Sequence, residues 1–455
     1  MAKVVIIGAG LTGLSTAYHL EKKGFTDFII VEKEAQPGGL CRSVKQDGFT
    51  FDYSGHLLHS SDDYFSSFLK DIFSDELLNT VQRRSFIYSH DTYTRYPYQI
   101  NLHGLPPETI IECIEGYVNR KKSIRKPKTF SEWVLKFFGQ GLAESFFFPY
   151  QAKLLQYDPK KLAASWTGRF VPQTSLRQML YGALQSSAEK VGYNASFLYP
   201  KLGIQCLIDR LIKKINKPVV TGKAVANIDL KKNVIFFEDG DSESFDIIIN
   251  TMPLDLLLHS ISDHSSTHFN RTAENLLCTS VACLNLGISR NIDAEKHWIY
   301  YPEKEYPFYR VGFYHNFSSS LVPASCSSMY VECSYKKNAS YRSLQKMIND
   351  VQLNIKQLFN IDDSEIIAKN IIKMPHAYVV YDAWRERNLS VLLDGLKREG
   401  IYSIGRYGAW KYSSMQESVL DGKKVADTIV VQPACHFKKT DKSKRRKLHE
   451  KRFQL

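Results

Sequence analysis

The sequence predicts an α/β fold, a doubly wound Rossmann-type nucleotide-binding domain interrupted by a helical domain and by a mainly antiparallel β-sheet domain. Three observations predict it. A β-branched run, a glycine-rich turn, a stretch of helical spacing and a second β-branched run follow one another within about thirty residues, the order that opens a doubly wound sheet. From Pro107 to about Gln185 the apolar spacing turns helical. Sheet-like alternation returns at Val219 to Asn250, and further strand-like runs between Ala282 and Ala377 read as a second, largely antiparallel sheet.

The first strand is read over Lys3 to Ile7, followed by a helix with Leu14, Ala17, Tyr18 and Leu20 on one face, and the second strand over Phe28 to Val31, ending at Glu32. In the helical part Ile111, Ile114, Tyr117, Trp133, Leu135, Phe137 and Phe138 pack around a lysine-rich break at Lys121 to Lys128. Val219 to Asn250 reads as a meander running into a buried strand. Further strands between Ala282 and Ala377 surround one helix near Ser343 to Phe359, and Glu417 to Ile429 closes the pattern as a helix. The expected division is a discontinuous nucleotide-binding domain over 1–90, 195–265 and 385–432, a helical substrate domain over 105–190, a sheet substrate domain over 91–104 and 266–384, and a basic disordered tail over 433–455.

Composition narrows the function classes. With 455 residues, 44% apolar and 24% charged, the chain is ordinary for a soluble globular protein of two or three packed units. Its eight cysteines show no metal-ligand spacing, so no metal is expected and a reducing cytoplasm suits them. The opening MAKVVIIGAG is too short an apolar run for a secretory signal, and no stretch has the apolar length of a membrane span. Of the net charge of +13, +7 lies between Lys438 and Arg452. That tail reads first as a solvated end and second as a contact for anionic surfaces; no nucleic-acid partner is expected, and nothing in the pattern sets an oligomeric state.

The glycine turn carries the cofactor reading. In GAGLTG, Gly8 permits the tight turn, Gly10 lets a pyrophosphate approach the backbone, and Gly13 lets helix and strand pack closely. Phosphate then rests on the free N–H groups of the helix start. Glu32 stands where a carboxylate accepts ribose hydroxyls and disfavours a 2′-phosphate. The segment KEAQPGGLCRS, with Gly38, Gly39 and Arg42, adds a second loop that resembles the flavin-contacting loop of amine oxidases and mutases. Val225 in TGKAV beside adenine, and Gly405 and Arg406 in GRYGAW with Gln416 in the helix that follows, complete an expected FAD site.

Seven blocks then resemble the UDP-galactopyranose mutases, above all their eukaryotic branch: SGHLLH, RYPYQIN, KPKTFSEW, GYNASFLYP, HWIYYP, PFYRVGFYHNFS and GRYGAWKYSSMQES. The resemblance runs from Val4 to about Ile429. It implies FAD that is active when reduced, with NADPH or NADH as reductant and a nucleotide-diphosphate sugar as partner. It implies that flavin N5 attacks the anomeric carbon and that pyranose and furanose forms of a UDP-galactose-like sugar interconvert without net redox, a step toward galactofuranose for cell-surface glycans.

By the same resemblance His56 lies beside the flavin, and Arg310 and Arg169 are the catalytic diphosphate arginines. Tyr378 and Tyr412 bind phosphate, while Tyr96, Tyr98 and Gln99 form the wall for the base. Gln151, Asn194 and Tyr300 complete the expected substrate contacts. Departures stand beside these matches. Arg169 comes one residue early, with Phe170 in the expected place. Phe317 replaces an expected tyrosine, Gln151 and Leu155 replace an asparagine and a tryptophan, and Ser54 replaces the first glycine of a Gly-Gly-His. The competing readings are an FAD-dependent oxidase related to amine or protoporphyrinogen oxidases, and a non-catalytic flavin-bound scaffold.

Overall fold

The structure is a computed structural model that describes residues 3–73, 77–185, 195–262 and 266–431. The basic tail and Asn194 lie outside the described residues.

Strand Val4–Ile7 is buried along its whole length because it lies at the centre of a parallel sheet of five strands. Their order is Ile401–Ser403, Ile247–Asn250, Val4–Ile7, Phe28–Val31 and Val219–Val220. Strands covered on both faces carry unbroken apolar runs, here VVII, FIIV and IIIN. Helices Leu11–Lys22, Asp63–Ile72, Gln205–Lys213 and Met415–Val431 share the core on one face. Helices Leu254–Ser260 and Ala383–Arg398 share the core on the other. This is the doubly wound architecture that the opening motif predicts.

A second sheet has seven strands in the order Ile366–Val379, Cys278–Ile288, Ser327–Lys336, Arg310–Phe313, Trp298–Tyr300, Ser85–Ser89 and Thr92–Arg95. All neighbours run antiparallel except Trp298–Tyr300 beside Ser85–Ser89. The expected boundary at residue 90 therefore falls at the turn of a hairpin that belongs wholly to this sheet. Helix Tyr341–Phe359 covers one sheet face with Leu344, Ile348, Val351 and Ile355, four positions one or two turns apart.

The helical part contains Pro107–Val118, Phe130–Phe137, Gly139–Leu142, Phe148–Leu155 and Leu176–Leu184, with a π-helical turn at Ala143–Phe147. The KPKTFSEW block starts one of these helices: Thr129 Oγ1 accepts from the Glu132 amide while the Glu132 carboxylate accepts from the Thr129 amide. Lys153 fastens the helices to the sheet by donating to the carbonyls of Tyr301 at 2.8 Å and Phe308 at 3.2 Å. No helix among the described residues is long and apolar enough to cross a membrane.

Candidate active site

All three parts contribute to one cavity of about 1230 Å³. Its narrow end is the glycine cradle. At Gly13 a Cβ would stand 1.9 Å from the carbonyl oxygen of Gly8, so only glycine lets the helix leave the strand this closely. Gly10 is different, because a Cβ there would meet only the Cα of Gly39, at 3.9 Å. The protein itself leaves room for a side chain at Gly10, so the bare Cα serves a group that approaches from the cavity. The helix begins after Gly10 with no side-chain cap, which leaves its first amides for an anion.

Glu32 closes the cradle. Its Oε2 accepts from the Ala9 amide at 2.8 Å and its Oε1 from the Glu34 amide at 3.0 Å. Each oxygen keeps a lone pair for a ribose hydroxyl. Gly8, Gly38, Gly39 and Val225 line the same end. Arg42 is held beside them by donating to the Gly39 carbonyl at 2.9 Å and by lying 4.7 Å from the Tyr53 ring centre. These donors, the carboxylate and the open Gly10 surface fit a dinucleotide.

In the middle of the cavity stands a buried ion pair. Arg310 and Glu332 face each other across neighbouring antiparallel strands. The guanidinium donates through Nε and Nη2 to the two carboxylate oxygens, the second bond measuring 2.8 Å. Burial disfavours the charge on Arg310, but Glu332 outweighs it and holds the guanidinium pKa above its ordinary value. His56 lies on the facing loop, its Nδ1 3.4 Å from the Ser54 carbonyl. Burial, then the charge of Arg406, push its pKa down to about 4, so the ring is neutral near pH 7.

The third group is a cationic centre walled by phenols. Arg406 donates to the carbonyls of Ser413 at 2.8 Å and Ala377 at 3.0 Å. Its guanidinium carbon lies 4.8 Å from the ring centre of Tyr412, 5.6 Å from Tyr378 and 5.7 Å from Tyr407. Tyr378 and Tyr412 stack nearly parallel, at 12°. Tyr309 donates to the Tyr378 hydroxyl at 3.5 Å, and Tyr300 packs edge-on against Tyr150. Burial pushes the phenols of Tyr300, Tyr309 and Tyr378 upward, so they stay protonated donors. Beyond them the cavity ends among Phe130, Phe146, Phe147, Trp166 and Leu155, with the amide of Gln151 and the ring of Tyr96 in the wall.

Most of the residues singled out in the sequence meet here. Arg310, His56, Arg406, Gln416, Tyr300, Tyr378, Tyr412, Tyr96, Gln99 and Gln151 all line the cavity. Gln99 is turned partly away, its amide donating to the Pro172 carbonyl at 2.6 Å. Tyr98 is a correction. It sits fully buried in the helical core, stacked on Phe146 at 14°, and does not line the cavity, because its ring fills the space between the turn Tyr98–Ile100 and the helices. Gly13 and Gly405 support the cradle from behind: a Cβ at Gly405 would stand 2.7 Å from Thr12 Oγ1. The Arg169 side chain, like Asn194, lies outside what is described.

Phe317 belongs to a core cluster with Phe197, Tyr199 and Trp298 and takes no part in the wall, so its difference from tyrosine does not thin the phenol set. Sequence reasoning missed Glu332, Tyr150, Tyr309 and Tyr53. A signal existed for the first: in MYVECSY a carboxylate is the one charged residue of a buried run.

The model of a family described as "Flavin containing amine oxidoreductase" matches residues 11–430. A crystal structure of reduced UDP-galactopyranose mutase superimposes with a TM-score of 0.87 at 26% identity, covering 94% of each chain. Among curated proteins, a "Probable UDP-galactopyranose mutase" of Klebsiella pneumoniae is 25% identical over 198 residues, 42% of this chain and 50% of that protein. Protoporphyrinogen oxidase 2, chloroplastic/mitochondrial, of Arabidopsis thaliana is 21% identical over 299 residues, 59% of this chain and 56% of that protein. The chain thus matches about half the length of these curated relatives.

Proposed function

Since the chain belongs to the flavin-containing amine oxidoreductase family, we propose that it is a flavin-dependent nucleotide-sugar mutase acting on a UDP-galactose-like sugar, with no net redox change. The observation that carries this reading is the polar middle of the cavity, where Arg310 and Arg406 share one wall with the phenols of Tyr300, Tyr309 and Tyr378. An oxidase for an apolar or amine substrate has no use for two buried arginines ringed by neutral donors, whereas a diphosphate dianion needs them. The likeness to UDP-galactopyranose mutase over 94% of the chain supports the same reading.

The flavin is proposed to be FAD, its pyrophosphate on the helix start after Gly10 and its adenosine ribose on Glu32, with adenine near Val225 and NADPH or NADH as reductant. Bound and reduced, it would supply the nucleophile for the anomeric carbon. The protein's own tasks are positional. Arg310 lines the cavity, and its Nη1 makes no hydrogen bond to the described residues, which leaves it as a donor to phosphate oxygens. The raised phenols add neutral hydrogen bonds and cannot repel the dianion. Neutral His56 brings no second cation to the flavin side of the sugar and offers a ring nitrogen as acceptor. Together these groups hold the leaving diphosphate close to the sugar, so that it can return to the rearranged ring.

The test is anaerobic incubation of dithionite-reduced enzyme with UDP-galactopyranose or UDP-galactofuranose, with products separated by chromatography. Interconversion by reduced enzyme, none by oxidised enzyme, and no reductant consumed per turnover are expected. Hydrogen peroxide formed one for one with product would establish the oxidase reading instead.

A further inference from the structure

Ser54 holds a backbone conformation that serine rarely takes. Its φ is +82°, in the left-handed region where a side chain crowds the backbone and glycine alone is at ease. A side chain kept against that strain is expected to do something, and its contacts say what. The Ser54 hydroxyl, buried, donates to Glu332 Oε1. Ser54 Oγ also accepts from Arg310 Nη2 at 3.5 Å. Ser54 comes from neither strand of the ion pair but from the loop after Phe49–Asp52 that carries His56.

The consequence is geometric. The Arg310–Glu332 pair alone joins two adjacent strands and can rock about its own axis, because both of its bonds come from one guanidinium edge. A third donor from a separate loop stops that motion. The Nη1 group of Arg310, left free by these bonds, then keeps one orientation. Resting on the nucleotide-sugar reading above, we infer that Ser54 is a positioning residue. Its hydroxyl locks Glu332 so that Arg310 presents Nη1 to the phosphate oxygens of a nucleoside diphosphate.

Full-length, flavin-loaded enzyme is titrated with UDP by calorimetry, as wild type, Ser54→Gly, Ser54→Ala, Glu332→Gln and Ser54→Gly/Glu332→Gln. Glycine accepts the local backbone, so Ser54→Gly removes the hydroxyl without adding strain. It is expected to weaken UDP binding about five- to tenfold, less than the loss of a direct charged hydrogen bond to phosphate, because the missing bond acts on the ligand only through Glu332. Ser54→Ala should weaken it equally, since only the hydroxyl is shared between the two losses. In the Glu332→Gln background the Ser54→Gly effect should shrink below about twofold, because a residue acting through Glu332 has nothing left to act on.

Unchanged UDP affinity in Ser54→Gly overturns the inference, and so does an equal loss in both backgrounds. An affinity retained by Ser54→Ala but lost by Ser54→Gly overturns it as well, since loop flexibility and not the hydroxyl would then be at work. Wild-type enzyme that fails to bind UDP at all overturns the nucleotide-sugar reading and this inference with it, an outcome distinct from the other three.

Discussion

Replacing Arg310 by alanine should damage stability and binding by separate amounts, and the structure sets both. Without the guanidinium, Glu332 is left 1% exposed with Ser54 as its remaining side-chain donor. Stranding one member of a buried pair costs about 3–5 kcal/mol. At about 2.1 cal/mol/K per residue, a chain of 455 residues has an unfolding entropy near 1 kcal/mol/K, so the melting temperature should drop by about 3–5 °C. Binding loses one charged hydrogen bond to phosphate, about 1.5–3 kcal/mol, which raises the UDP dissociation constant about ten- to a hundredfold. The double variant Arg310→Met/Glu332→Leu separates the two effects. Two apolar side chains of similar size should restore the melting temperature and leave UDP binding weak. Scanning fluorimetry and calorimetry read the two quantities, with flavin absorbance reporting that the cradle remains loaded. If Arg310→Ala melts with the wild type, or if the double variant recovers UDP affinity, the pair does not do what is argued here.

Gly10→Val should fold but purify colourless, because a Cβ there meets only Gly39 within the protein, at 3.9 Å, while the branched side chain would fill the space proposed for pyrophosphate. Flavin absorbance per protein checks this, and a fully yellow variant counts against the cradle. Tyr98→Phe should leave UDP affinity unchanged while Tyr378→Phe weakens it several-fold, since one phenol is in the helical core and the other in the cavity wall; equal losses would return Tyr98 to the site. Acid should destabilise the fold between pH 6.5 and 4. Burial pushes the pKa values of His19, His56, His59 and His297 down to about 4, so the unfolded chain takes up these protons as pH falls through about 6.5 and the folded chain resists until about 4. Each histidine withdraws on the order of 3 kcal/mol over that window. Asp52, raised to about 6 by burial, works in the opposite sense over much of the same range and offsets about one histidine. A melting temperature flat from pH 7 to 4.5 would contradict the balance, and His19→Gln should remove part of the slope.

The sequence by itself determined whatever depends on neighbours along the chain. A tight turn, a helix start and a strand end fall within Gly8 to Glu32, so their steric demands are written in consecutive residues, and the turn at Gly8 and the close helix–strand packing at Gly13 were legible there. Thr129 and Glu132 likewise announce a helix start three residues apart. Resemblance reached further and brought Arg310, Tyr300, Tyr378 and Tyr412 to one cavity. Only the tertiary structure decided which of two neighbouring tyrosines lines the cavity. Tyr96, before Pro97, lies in the cavity wall, and Tyr98, which opens a short helical turn, fills the core. Strand pairing alone brought Glu332 opposite Arg310, and a loop from more than 250 residues away added Ser54 to the pair. Register and long-range packing carry no local signature: a carboxylate in a buried run shows that a buried partner must exist, and the folded chain alone supplies its identity.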